Sequence, residues 1–218
     1  MFPVSDVIPS RTTPVVTIAL IAVNAAAFVY ELYLGDRIGS FVRTFGLVPA
    51  MFSWPAILTS MFLHQGWIHF LGNVLYLWIF GDNVEDRLGR VRYLLFYVFC
   101  GTVAALAHTV AHPASRLPMI GASGAIAGVM GAYFVLFPHS RVLTAVFLVV
   151  FLDLVEIPAI FFLGVWFLMQ LFNGVGSLGM EAADAGVAFW AHIGGFGVGA
   201  LVGFLSRVRL ASRSRYWS

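Results

Sequence analysis

From Val15 to Leu34 the chain runs through twenty residues that carry one formal charge, Glu31, and further apolar runs recur almost to its end. A helix crosses a bilayer core with about 20 apolar residues, so these runs fix the solvent before they fix the fold. Charge confirms the choice. Soluble domains carry roughly a quarter charged residues, whereas 12 basic and 10 acidic side chains serve 218 positions here, with a mean hydropathy of +0.93. The expectation is an all-α membrane protein: a single membrane domain over 1–218 with room for six spans and none for a large soluble domain. A net charge of +2 gives no ground for a nucleic-acid partner. Cys100, alone inside an apolar run, reads as a small buried hydrophobe, and there is no Cys/His spacing for zinc.

The spans follow from the breaks between runs. Met1 to Arg11 is short, polar and proline-containing, so the run from Val15 to Leu34 is expected to stay in the membrane as the first helix rather than be cleaved as a signal. Gly35 to Gln65 is too apolar for a solvated loop and too interrupted by Gly46, Pro49 and Pro55 for a span. It reads as an interfacial first loop, with Trp54 and Trp67 as anchors. Further helices are expected over Trp67–Val84, Val91–Val110, Gly121–Phe137, Ala159–Phe172 and Val187–Leu205. Val142 to Leu152 is apolar but too short to cross, and it reads as a re-entrant or interfacial piece.

Arginine placement orients the set, since every basic residue is Arg. With six spans and a cytoplasmic N-terminus, nine of the 12 arginines fall inside: Arg11, Arg87, Arg90, Arg92, Arg141, Arg207, Arg209, Arg213 and Arg215. Arg37, Arg43 and Arg116 fall outside, in keeping with the positive-inside bias. A seventh span would put the arginine-rich tail on the wrong side. The expected topology has a short cytoplasmic segment over about 1–13, a basic cytoplasmic tail over about 206–218, and the bacterial inner membrane as the setting.

That topology brings chemistry together. The second, fourth and sixth helices all start from the outer face, and near that end each carries polar residues: His69 and Asn73, Ser123, and His192. Polar groups within a membrane are costly and usually face a partner or a water-filled cavity. Ser123 lies in Gly121-Ala122-Ser123-Gly124 at a helix start, where free N–H groups and the positive dipole end could hold an oxyanion. Gly121 and Gly124 would let a substrate backbone come close. Serine among small residues is also what helix packing looks like, and the tetrapeptide alone favours packing. His192 shifts that balance. Gly195, Gly199 and Gly203 follow it on one helix face, Gly124, Gly128 and Gly131 form a matching stripe near Ser123, and two such stripes allow close backbone approach. His69 and Asn73, four apart, share a face and can line an oxyanion site or merely fasten helices. His64 reads as a local structural contact, and His108, His112 and His139 as interfacial. No His-Glu-x-x-His occurs, Asp82 and Asp153 form no evident pair, and Asp184 lies two turns before His192, out of reach.

Four patterns stand in order: His69-x-x-x-Asn73; Gly81-x-x-x-Glu85-x-x-x-Gly89; Gly121-x-Ser123-Gly124; and Ala191-His192-x-x-Gly195-x-x-x-Gly199. Together they resemble the rhomboid family of intramembrane serine proteases, of the six-helix prokaryotic type, over nearly the whole chain. The resemblance implies Ser123 as nucleophile, His192 as general base and then acid, and an oxyanion held by His69, Asn73 and the Ser123 N–H. It implies transmembrane protein substrates cut near the outer face of the lipid bilayer and reached laterally beside the fifth helix, with no metal or other cofactor. Two departures stand out. Ala127 occupies the place where some members carry an aromatic residue that stacks on the histidine, which leaves the orientation of His192 without a known source, and the first loop lacks their Trp-Arg pair. A non-proteolytic adaptor or chaperone that binds transmembrane segments is the alternative.

Overall fold

The computed structural model describes residues 2–148, 151–178 and 188–214. Helix α1 covers Val15–Leu34, and a 3-10 turn leads to α2 (Ile38–Phe45) and then α3 (Trp54–Ser60). The long helices α4 (Trp67–Leu88) and α5 (Arg90–Ala111) come next, followed by α6 (Ser123–Leu136), α7 (Ala159–Gly176) and α8 (Phe189–Ser214). By length and composition four segments among the described residues can cross a membrane: Val15–Phe45, Arg90–Ala111, Ala159–Gly176 and Phe189–Val208. Helix α4 is long enough, but Asp82, Glu85, Asp86 and Arg87 crowd its last two turns. Helix α6, with 14 residues, is roughly 21 Å long against a core of roughly 30 Å.

The shortest helix is the centre of the molecule. α4, α5, α7 and α8 all pack against α6, and every residue from Gly124 to Tyr133 is buried. A helix apolar all round is a buried helix, and its glycines set how near the neighbours come. A Cβ added to Gly195 would strike the Gly124 carbonyl, one on Gly199 the Gly128 carbonyl, and one on Gly131 the Phe196 carbonyl. Backbone therefore lies on backbone along the α6–α8 seam. Cys100 is fully buried on α5 and meets α6 where a Gly128 side chain would stand.

The Gly81, Glu85, Gly89 pattern now has a physical reading. Helix α1 begins without a capping side chain of its own, and its orphan first-turn donors are taken by Glu85 of α4. Val16 N–H donates to Oε1 at 3.0 Å, Thr17 N–H to Oε2 at 2.8 Å, and the Thr17 hydroxyl to Oε2 at 2.9 Å. Gly81 lets the Tyr93 hydroxyl and Thr17 close in, since a Cβ there would sit 2.8 Å from that hydroxyl. Gly89, at φ 79°, makes the turn into α5. Glu85→Ala should lower stability by about 2–4 kcal/mol, because buried donors are left unpaired; a detergent-phase melt matching wild type would contradict this.

Two segments depart from an all-helical chain. Val142–Leu152, expected as a re-entrant or interfacial piece, is mostly strand: it forms most of β2 (Arg141–Leu148), hairpinned to β3 (Phe151–Pro158), and the N-terminal residues Phe2–Asp6 add β1 in the order β1-β2-β3, all antiparallel. The cause is in the residues: Val142, Thr144 and Val146 favour a pleated surface, and eleven residues cannot cross as a helix but can satisfy their backbone in a ladder. Pro3 is confined to an edge strand, as its missing N–H requires. The sheet is tied to the bundle where the Tyr133 hydroxyl donates to Asp6 Oδ2 at 2.6 Å and Asn83 Nδ2 donates to the same oxygen at 3.0 Å. Burial pushes the Asp6 pKa up to about 6, the Tyr133 hydrogen bond working against it. At the other end, α8 continues past Leu205 to Ser214, so the expected tail is helical for most of its length. The expected helix start at Val187 and the carboxylate of Asp184 lie outside the described residues.

The Gly35–Gln65 connection folds as an ordered cap over the C-terminal half of α5. Leu47, Ala56 and Ile57 bury against Ala105, and Leu47 pairs with Met119 in both directions across the backbone. Ser60 accepts the Gly121 N–H at 2.8 Å. Through that bond the cap positions the loop before Ser123. Trp54 and Trp67 are 66% and 58% exposed, which suits interfacial anchors.

Candidate active site

Ser123 opens α6, so it sits where the helix has unpaired N–H groups. His192 stands one turn inside α8, directly across the glycine seam, and Ser123 Oγ and His192 Nε2 are 2.8 Å apart. Gly124 and Gly195 make that distance possible: without them, α8 could not rest on the α6 backbone. His192 is 9% exposed.

Gly121 is held at φ 124°, a conformation that side-chain-bearing residues rarely adopt. His69 fills the space beside it: a Cβ on Gly121 would lie 2.7 Å from His69 Nε2 and 3.6 Å from Ser123 Oγ. The imidazole of α4 therefore borders the serine. Gln65 N–H donates to His69 Nδ1 at 3.3 Å, which leaves the ring proton on Nε2, the nitrogen that faces Gly121. Asn73, one turn further along the same face of α4, is 7% exposed, and its Nδ2 has no hydrogen-bond partner among the described residues. A buried donor left unpaired costs about 1–3 kcal/mol and is a place to look for function.

His64, in the loop before α4, donates its backbone N–H to both Glu31 carboxylate oxygens at 3.1 Å, a structural contact that ties the first loop to α1. Its ring packs on Phe28, His69 and Phe70, and burial, with His69 nearby, brings its pKa down to about 4, so it stays neutral. His108 and His112 lie together at the C-terminal end of α5, their ring centroids 5.1 Å apart, and His139 is exposed. Gly128 and Gly199 lie further down the seam and serve packing.

Two residues went unnoticed in the sequence. Gln170 of α7 places Oε1 2.8 Å from His192 Nδ1, and Trp166, one turn earlier, sets its ring 5.7 Å from the imidazole at 39°. Trp166 thus sets an aromatic ring beside His192, as Ala127, fully buried in α6, cannot. The signal for Gln170 was present: it is the only polar side chain between Ala159 and Phe172, the same cost argument that singled out Ser123 and His192. Beside the serine lies a cavity of about 10 Å³, bordered by Met61, Gly101, Ala104, Gly121 and Ala191, roughly the space of one water.

Comparison with known proteins places the chain in a family. The Rhomboid domain family model matches residues 51–209. Rhomboid protein 1, mitochondrial, of Saccharomyces cerevisiae is 28% identical over 204 residues, covering 90% of this chain and 55% of the relative. The putative rhomboid protease YdcA of Bacillus subtilis is 34% identical over 92 residues, 42% of this chain and 46% of the relative. Rhomboid protease GluP of the same organism is 42% identical over 79 residues, 36% of this chain and 15% of the relative. The chain therefore spans about half the length of the first two relatives and less of the third. A buried helical bundle with a Ser–His pair at its heart defines a class of membrane-embedded protein, and this chain belongs to the rhomboid family. It is an integral membrane protein. Because the relatives come from a mitochondrion and from bacteria, similarity alone assigns it no compartment.

Proposed function

We propose that this chain is a serine endopeptidase that hydrolyses peptide bonds in or near transmembrane segments of membrane proteins. The observation that carries the reading is the 2.8 Å contact between Ser123 Oγ and His192 Nε2 at a helix N-terminus inside an apolar bundle. Membership of a family with named proteases supports it. As Ser123 attacks the scissile carbonyl, its proton passes to His192 Nε2 and the carbonyl oxygen becomes an oxyanion. The Ser123 N–H, His69 Nε2–H and Asn73 Nδ2 are the donors for that oxygen. His192 then gives its proton to the leaving amine, and an ester joins substrate to Ser123. Water, activated by the same imidazole, hydrolyses the ester and restores the serine. Neither a metal nor a nucleotide is needed for any step.

In this reading α1, α4, α5, α6, α7 and α8 are six spans of one domain, with both termini cytoplasmic and the site toward the outer face. Lateral approach beside α7 is supported by its dressing: it packs on α6 and α8, while Phe161 and Phe172 are 66% and 78% exposed.

A fluorescent fluorophosphonate and a single-span reporter substrate test the proposal on purified, reconstituted protein. Labelling mapped to Ser123 together with reporter cleavage is expected; neither would occur in an adaptor that only holds transmembrane segments, and that result would end the protease reading. Asn73→Ala should lower kcat by about 10²–10³-fold with little change in KM, since an oxyanion donor acts in the transition state. An effect confined to KM would remove Asn73 from that role.

A further inference from the structure

We propose that Gln170 is the positioning residue of the Ser123–His192 pair, holding His192 through Nδ1 in the one tautomer and ring orientation that can accept the serine proton. This rests on the protease reading and deepens it.

The chemistry fixes what His192 needs. To take a proton from Ser123 Oγ, Nε2 must present its lone pair, so the ring proton must sit on Nδ1. A neutral imidazole in an apolar site has no intrinsic reason to choose that tautomer, and a ring held at one nitrogen alone can still swing about its side-chain bonds. Gln170 Oε1, 2.8 Å from Nδ1, supplies the missing acceptor. Donation from Nδ1–H to Oε1 and acceptance at Nε2 from the serine, also at 2.8 Å, line the three groups up across α7, α8 and α6. Turning the amide the other way would place its NH2 against Nδ1 and force the proton onto Nε2, where it would block the serine.

The surrounding structure is built to hold the amide. Gln170 is 9% exposed, and Leu163, Gln170 and Gly174 lie along the buried face of α7. One turn beyond Gln170, Gly174 lets Ile193 of α8 come so near that a Cβ would sit 2.8 Å from Ile193 Cδ1, and its carbonyl accepts the Trp190 Nε1–H at 3.0 Å. That docking pins α7 to α8 beside His192. Trp166 packs against the ring. An amide in place of a carboxylate orients without adding charge, which suits a site where an unpaired buried carboxylate would be costly. The Cys-His-Asn arrangement of some soluble proteases shows that a neutral amide can serve a catalytic histidine.

Three measurements test the proposal. In wild-type protein labelled with ¹⁵N at its six histidines, the His192 signal, identified by its loss in His192→Gln, should report a protonated Nδ1 and an unprotonated Nε2 at neutral pH. The reverse tautomer would overturn the assignment. Gln170→Met, close in volume but without an acceptor, should lower kcat and the rate of fluorophosphonate labelling by about 10–10²-fold, with KM within about threefold and an unchanged melt. Activity within about threefold of wild type would also overturn it. Gln170→Glu should recover activity relative to the Met variant and move the acid limb of the kcat/KM profile to higher pH, because a carboxylate at Nδ1 favours imidazolium. A limb that stays put would count against the contact. Among the described residues, the other ionisable side chains near His192 are His69 of α4 and His108 of α5, both untouched by these changes; α7 carries none of its own. The two readings fail separately. Wild-type protein that neither labels nor cleaves sinks the protease reading, whereas an active wild type with an unimpaired Met variant sinks only the role of Gln170.

Discussion

Ser123→Ala and His192→Ala should each lower kcat/KM on a single-span reporter by at least about 10³-fold, roughly 4 kcal/mol at 1.36 kcal/mol per tenfold. The double variant should be scarcely worse than either single one, because nucleophile and base act as a unit and cannot lose the same step twice. Both proteins should extract and melt like wild type. Ser123 is at the first turn of α6, where alanine is an acceptable helix residue, and the seam around it is built from glycines rather than from its hydroxyl. Fluorophosphonate labelling should vanish in Ser123→Ala and fall sharply in His192→Ala. Cleavage at a tenth of the wild-type rate in either variant would place the chemistry elsewhere.

Gly199→Val should have the largest effect on stability. Its Cβ would enter the Gly128 carbonyl and press on the Gly128 Cα, and backbone inside a buried helix has no rotamer to escape into. Overpacking a core costs typically about 1–3 kcal/mol when side chains can yield; here the whole of α8 must lift from α6, and the cost should exceed that range. The same movement would part Ser123 from His192, so the residual folded fraction should be poorly active as well. Gly197, two residues away, is the control. A Cβ there meets nothing within 4 Å, and Gly197→Ala should be neutral or stabilising by up to about 1 kcal/mol through helix propensity. Thermal melts in detergent, with labelling of the soluble fraction at each temperature, would separate the two. Equal melts for the two variants would mean that the seam is not the contact that holds the bundle.

Much of this was legible in the residues. Where runs were long and their breaks chemical, as at α1 and α5, helices could be placed to within a residue or two. Ser123 and His192 could be paired because both sit on glycine stripes, and a stripe with 3.6-residue periodicity announces the face it occupies. The hairpin at 141–158 was missed for a physical reason. Its apolar pattern fits an interfacial helix or a strand equally well, and its strand partner β1 lies more than a hundred residues away in sequence. Gln170 was missed because an amide in a spanning helix has no motif. Its meaning depends on α7 standing beside α8, which nothing along the chain dictates.

By itself the sequence determined the solvent, the helical segments of the bundle and the two groups placed to meet, because hydrophobic run length, charge asymmetry and helical periodicity are local quantities. Tertiary structure alone decided that Glu85 closes the start of α1, that the N-terminal strand completes a sheet, and which neighbour holds the second nitrogen of His192. Each of those rests on hydrogen bonds between residues distant in the chain, and the partners are chosen by tertiary packing, with Gly81 and Gly174 allowing the close approach at the first and last of them.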